Sequence, residues 1–191
     1  MRINIIGTSG SGKTTFGRQL AETLKIPFIE MDALFWGPNW SPSQDEELFP
    51  RLTEALGEEH WVLDGNYSRT TAIKWERAEV VIWLDFSFPR TLWQAISRAM
   101  TRLISQEELW PGTGNRESLR MLFSKESIVL WTITSYARRR KNIIKMMGDP
   151  KYQHIRFHRL PSPAETERFL TAVDHNPKVL YTNPSGLKKV K

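Results

Sequence analysis

The amino-acid sequence predicts an α/β fold, a five-stranded parallel sheet with helices on both faces, and three observations carry the prediction. Short apolar runs alternate with segments of helical periodicity along the chain. A glycine-rich stretch, Gly7 to Gly12, stands between the first run and the first helical segment. Gly7, Asp32 and Asp64 each fall at the end of an apolar run, so three strands deliver polar or turn-forming residues to one rim of the sheet, where such sheets bind ligands.

Taken in order, residues 2–6 read as the first strand and 13–24 as the first helix, with Phe16, Leu20 and Leu24 four residues apart. Residues 27–31 read as a second strand ending at Asp32, and the aromatic, breaker-rich stretch 33–42 as a structured loop. Ser43 is placed to cap a helix bearing Leu48, Leu52 and Leu56, which Pro50 would divide or bend. Residues 61–63 form a third strand that stops at Asp64-Gly65, and 80–84 a fourth that stops at Asp85. A long basic helix is expected over 89–104, with Leu92, Ile96 and Met100 on one face and Arg98 and Arg102 on another. Pro111, Gly112 and Gly114 break regularity over 107–117; a second long helix over 124–147, a fifth strand over 154–160 and a last helix over 163–173 follow. This is one domain, residues 1–173, with a helical arm at about 33–60 and a lid at about 105–120. The tail, 174–191, is polar and basic, and partial disorder is expected there.

Composition narrows the chemistry. In 191 residues, 40% hydrophobic with 8 Trp and 9 Phe, there is enough apolar surface for one substantial core. No cysteine is present, which excludes disulfides, thiolate metal sites and cysteine nucleophiles. No apolar run is long enough for a signal peptide or membrane span, so a cytoplasmic protein without a membrane partner is expected. A net charge of +6 implies an anionic partner but does not choose among nucleotide, phosphorylated metabolite and nucleic acid.

The stretch Gly7-Thr8-Ser9-Gly10-Ser11-Gly12-Lys13-Thr14 matches GxxxxGKT in full, between a strand and a helix, where the phosphate-binding P-loop acts. Glycines permit the tight path that turns backbone N–H groups inward, and the helix N-terminus adds its positive end. Lys13 would reach the outer phosphates of ATP and the Thr14 hydroxyl would ligate Mg2+. A loop that merely turned the chain would not need Lys-Thr after its third glycine.

Asp64 is placed to hold Mg2+, usually through water, or to orient an acceptor, and its ordinary alternative is to cap the next turn. Asp32 would accept a hydrogen bond from an acceptor, or serve as a cap. Phe35, Trp36 and Trp40 would stack on a flat acceptor, or pack as core. Arginine stabilises the charge that builds up in phosphoryl transfer, and Arg69, Arg98, Arg102 and the run Arg138, Arg139, Arg140 are candidates, although most arginines on a basic helix are simply solvated.

These residues resemble the adenylate kinase-like P-loop kinases, and more closely the bacterial topology modulation (FlaR-like) proteins. The resemblance is carried by GTSGSGKTT, EMDALFWGPNW, WVLDGNYSRT, VVIWLDFSFPRTLWQAISR, ELWPGTGNRESLR and LWTITSYARRR. It implies sheet order 2-3-1-4-5, an acceptor arm after strand 2 and a lid after the fourth helix. By it, Gly7 to Thr15 hold ATP, with Ser162 and Pro163 beside the adenine. Asp32, Trp36, Asp64, Gly65, Asn66 and Arg69 meet the acceptor, and Thr14 and Asp64 the metal. Of a usual arginine pair one helical turn apart, the positions here are Gln94 and Arg98, and only Arg98 keeps the charge. Arg138 and Arg139 resemble arginines that enter from beyond the lid, next to Lys13 as the transfer machinery. Adenylate kinases continue their third strand with Asp-Gly-Phe-Pro-Arg, whereas Asp64 to Arg69 has one residue more and no proline, a departure from an AMP acceptor.

The primary expectation is an ATP- and Mg2+-dependent kinase of a nucleotide or similar small acceptor. A second is an ATP-gated nucleic-acid-binding regulator of DNA topology using residues 138–141 and the lysine-rich tail, although no motif here reads base edges. A third is a kinase of a non-nucleotide metabolite, with Asp32 as general base.

Overall fold

Five parallel strands form one sheet in the order β2-β3-β1-β4-β5, as expected, in a computed structural model that describes residues 1–118 and 128–182. The strands are β1 (Arg2–Gly7), β2 (Phe28–Glu30), β3 (Trp61–Asp64), β4 (Val80–Leu84) and β5 (Arg156–Leu160). The helices between and after them are α1 (Lys13–Leu24), α2 (Met31–Phe35), α3 (Asp45–Ala55), α4 (Thr71–Arg77), α5 (Phe88–Ser105), α6 (Ile128–Met147) and α7 (Pro163–His175). The register pairs Ile5 and Glu30 with Asp64, and Gly7 with Leu84, so the carboxyl ends of β1 to β4 reach one level.

Each strand side buries its own layer. Ile3, Ile5, Val62, Val80, Ile82 and Leu84 meet Phe16 and Leu20 of α1 and Val173 of α7. The alternate residues Ile6, Trp61, Leu63, Val81 and Trp83 meet Leu48 and Leu52 of α3, Trp75 of α4 and Ile143 of α6. Burial on both faces is why the strands are continuous apolar runs.

Several elements differ from the expectation. The second strand stops at Glu30, and Asp32 lies in the first turn of α2, because 31–35 folds as a helix before the breakers Gly37 and Pro38. Ser43 does not cap α3, whose N-cap is Gln44; its N–H instead donates to the Phe35 carbonyl at 2.8 Å and holds the loop closed. Pro50 sits inside an undivided α3. The tail begins as packed structure: residues 177–181 form a 3-10 turn whose Leu180 is fully buried and whose carbonyl meets His158 Nε2 at 2.8 Å. The expected helix start at 124–127 and the tail beyond 182 lie outside the described residues.

On α5 the expected apolar face is not the buried one. Thr91, Ala95 and Ala99 face inward, while Trp93, Ile96, Met100 and Ile104 are exposed, Trp93 by 69%. The reason is close approach: a Cβ on Gly10 would lie 2.9 Å from the Thr91 carbonyl and 3.0 Å from the Ala95 Cβ, so only small residues fit against the loop.

Leu63 is fully buried at the sheet centre. Leu63→Ala is expected to cost about 2–5 kcal/mol in urea unfolding, against about 0.5 kcal/mol or less for exposed Glu54→Ala.

Candidate active site

The P-loop wraps an anion-sized cradle. Gly10 and Gly12 hold φ of +85° and +83°, a region closed to most side chains, and a Cβ on Gly7 would lie 2.9 Å from the Leu84 carbonyl. Thr8 is buried; its carbonyl accepts from Ser11 N–H at 3.1 Å and from Lys13 Nζ at 3.3 Å. Ser11 Oγ is buried without a partner among the described residues. Gly12 caps α1, so the N–H groups of Lys13, Thr14 and Thr15 open the helix with no intrahelical acceptor.

Thr14 and Asp64, expected at a metal, meet each other: Thr14 Oγ1, in the first turn of α1, donates to Asp64 Oδ2 at the end of β3 at 2.5 Å. Asp64 Oδ1 is buried without a partner among the described residues, an arrangement that fits a divalent cation held by the Thr14 hydroxyl and this carboxylate. Burial pushes the Asp64 carboxyl above its ordinary range, while Lys13 and the Thr14 hydrogen bond pull it back. Burial likewise lowers Lys13, against Asp64 and Asp32, which favour its charge.

The loop after β3 joins the P-loop to the arm. Gly65 holds φ +143°, and a Cβ there would lie 2.3 Å from Met31 Cβ, so α2 leaves room for glycine alone. Asn66 donates from Nδ2 to the Gly7 carbonyl at 3.1 Å and accepts at Oδ1 from Arg139 at 2.9 Å. Asp32, exposed at the mouth, accepts at Oδ1 from the Tyr67 hydroxyl at 2.7 Å. Its charge acts on Lys13, Asp64, Arg98 and Arg139.

The arginines separate by role. Arg98 donates to Ser9 Oγ at 3.1 Å, and burial, then Arg102, lower its pKa. Arg139 faces Asn66, whereas Arg138 is exposed and is not brought against the loop. Arg140 pairs with Asp85 at 3.0 Å, as does Arg159 at 2.7 Å. Arg69 is taken up within the arm, paired with Asp45 at 2.7 Å and lying over the Phe35 ring. Ser162 caps α7 by accepting the Glu165 N–H at 3.3 Å, and Pro163 opens that helix.

The aromatics pack on one another. Trp36 meets Phe35 and Trp40 edge-on, and Trp40 meets Trp110 edge-on at 5.7 Å. Trp110 and Asn115 belong to the expected lid, and they bind the arm: Asn115 accepts from Trp40 N–H at 2.8 Å and donates to the Gly37 carbonyl at 2.9 Å. Trp110 Nε1 donates to Glu30 at 3.2 Å. The described part of that segment therefore packs on Glu30, Gly37 and Trp40.

Sequence reading missed Tyr67, Lys74, Trp110 and Asn115. Lys74 lies beneath the loop, fully buried, with Nζ donating to the Gly65 carbonyl at 3.1 Å and the Tyr67 carbonyl at 3.4 Å. A lysine in a helical segment that also carries Trp75 and Arg77 gives no sign of being buried.

The shikimate kinase family model matches residues 9–38, from the P-loop through α1 and β2 into the arm. No curated protein sequence matches the chain. Among solved structures, shikimate kinase from Acinetobacter baumannii in complex with shikimate is similar at TM-score 0.52 and 17% identity, covering 96% of this chain and 94% of that one. Shikimate kinase from Bacteroides thetaiotaomicron is similar at TM-score 0.50 and 14% identity, covering 92% and 97%. A gluconokinase from Sinorhizobium meliloti 1021 is similar at TM-score 0.48 and 18% identity, covering 93% and 95%. The chain thus has the fold of the P-loop kinases. The narrower resemblance to topology modulation proteins finds no support in these matches. No helix among the described residues is long and apolar enough to cross a membrane.

Burial lowers Lys74 from 10.5 to about 7, with Arg139 acting the same way and Asp64 opposing. Between those values the unfolded chain binds a proton that the folded one does not, so this group makes stability rise with pH. In urea unfolding from pH 7 to 9, wild type is expected to gain on Lys74→Met as pH rises; a constant gap would contradict the burial.

Proposed function

We propose that the chain is an ATP- and Mg2+-dependent kinase that phosphorylates a hydroxyl of a small anionic metabolite that is not a nucleotide. The observation that carries this reading is the exposed carboxylate of Asp32, bonded to Tyr67 of the loop whose Asn66 meets the Gly7 carbonyl and Arg139. A carboxylate there would serve as proton acceptor toward groups suited to hold phosphate.

In this reading Asp32 takes the proton of the acceptor hydroxyl as that oxygen bonds the γ-phosphorus. The bond from the γ-phosphorus to the β-bridging oxygen breaks, releasing ADP. Lys13 and the N–H groups of Gly7 to Thr15 hold the ATP phosphates, and Arg98 and Arg139 offset the charge on the migrating group. Bound Mg2+, held by Thr14 and Asp64, would supply further charge neutralisation. Ser162 and Pro163 border the adenine, while Gly65, Asn66, Trp36 and Arg69 shape the acceptor side, Arg69 through the arm. Arg138, next to Arg139 on α6, lies outside this set.

Two observations favour a metabolite over a nucleotide acceptor. Trp36, Trp40 and Trp110 engage one another edge-on, so these rings are taken up in packing among themselves. The family match over residues 9–38 is to shikimate kinases, and a structural relative is bound to shikimate, a small hydroxylated acceptor. Two residues on which the nucleic-acid reading relied are engaged within the fold, Arg139 with Asn66 and Arg140 with Asp85.

ATP turnover should be stimulated by a member of a panel of hydroxylated carboxylic acids and sugar acids, and not by nucleoside monophosphates. EDTA should abolish it, and Lys13→Ala should remove it. Asp32→Asn should lower acceptor-dependent kcat by about 100- to 10,000-fold with ATP affinity kept, measured by calorimetry. Stimulation by nucleotides alone would overturn the acceptor class. Hydrolysis that no acceptor raises and that survives Lys13→Ala would overturn the kinase reading.

A further inference from the structure

We infer that Tyr67 is a positioning residue that fixes the Asp32 carboxylate for proton abstraction, an inference that rests on the kinase reading above. Asp32 stands on α2, a helix of only five residues, and is exposed. An exposed aspartate on so short an element would otherwise sample several rotamers. Among the described residues, the Tyr67 hydroxyl is the one hydrogen-bond donor to its side chain, meeting Oδ1 at 2.7 Å. That bond occupies one oxygen and leaves Oδ2 to accept the substrate proton, the logic by which a third group orients a catalytic base.

Tyr67 is itself held from three directions. Its ring packs on Phe35 at 4.7 Å, and Phe35 lies on the same helix as Asp32, so ring and hydroxyl grip α2 at two points. Its carbonyl accepts from Thr70 N–H at 3.2 Å and Thr70 Oγ1 at 2.9 Å. Beneath, Lys74 Nζ ties the Tyr67 carbonyl to that of Gly65, which also accepts from Asn4 Nδ2 at 3.0 Å. Asn4 in turn accepts from Trp75 Nε1 at 2.9 Å, so the loop is anchored in the centre of the sheet. Burial, followed by the charge of Asp32, pushes the phenol well above its ordinary value, so it remains a donor throughout the working range. Arg139 and Arg69 act on it in the opposite sense. A tyrosine needed only for packing would not place its hydroxyl on an exposed carboxylate.

The test is Tyr67→Phe, which keeps the ring on Phe35 and removes the donor. Acceptor-dependent kcat is expected to fall about ten- to a hundredfold, the loss of one hydrogen bond to a charged group. KM for ATP and acceptor-free ATP hydrolysis should stay unchanged. Tyr67→Phe in an Asp32→Asn background should cost nothing further, because the phenol acts only through that carboxylate. An unchanged kcat, or losses that multiply independently in the double variant, would overturn the inference while leaving the kinase reading standing. A wild type that no acceptor stimulates would remove both. Should Tyr67→Phe not fold, wild type carrying 3-fluorotyrosine reports the bond by fluorine NMR: a Tyr67 signal that Asp32→Asn shifts supports the inference, and a signal that Asp32→Asn leaves unmoved overturns it.

Discussion

The glycine loop must lie against the sheet rim on one side and against α5 on the other, and much of the molecule follows from that closeness. Gly7 meets the Leu84 carbonyl and Gly10 meets the Thr91 carbonyl at distances that exclude any side chain. The helix that closes the cradle can therefore present only Thr91, Ala95 and Ala99 inward. Its larger apolar residues turn outward although hydrophobic area alone would bury them, because backbone proximity, needed to aim N–H donors at phosphate, outweighs the burial of Trp93 or Met100.

The same closeness makes the site an electrostatic unit. Lys13, Asp64, Asp32, Arg98 and Arg139 come from five elements, yet each acts on the charge of at least one of the others. The Thr14–Asp64 contact joins the start of α1 to the end of β3, and Asn66 ties the Gly7 carbonyl to Arg139 on α6. The polar groups beneath are satisfied in turn, with Asn4 and Lys74 sharing the Gly65 carbonyl. Buried polar networks of this kind cost stability if left incomplete, so they fix loop shape rather than add cohesion.

The acceptor side is organised by aromatic and backbone contacts instead. Trp110 and Asn115 fasten the segment after α5 onto the 37–40 turn, where Asn39 and Trp40 hold φ of +55° and +58°. Non-glycine residues in that region are strained, and the paired hydrogen bonds of Asn115 to Gly37 and Trp40 hold the turn in place. The 37–40 turn and the described part of the segment after α5 are thus packed together.

By itself the sequence determined the element order, the sheet class and the phosphate loop, because apolar periodicity and the spacing of glycine, lysine and threonine are local properties. It also placed Asp64 at the end of the third strand, since a strand ending in an acid is visible along the chain. What only the tertiary structure decided are the pairings between distant residues: which α5 face is buried, that Arg139 rather than Arg138 turns to Asn66, that Arg140 serves Asp85, and that Tyr67 holds Asp32 while Lys74 holds Tyr67. Three consecutive arginines point in three directions on a helix, and their roles depend on what each direction meets. Lys74 shows the limit most clearly. Its residue type argues for the surface, and only the carbonyls of Gly65 and Tyr67, supplied by a loop that must bend around Met31, make its burial affordable.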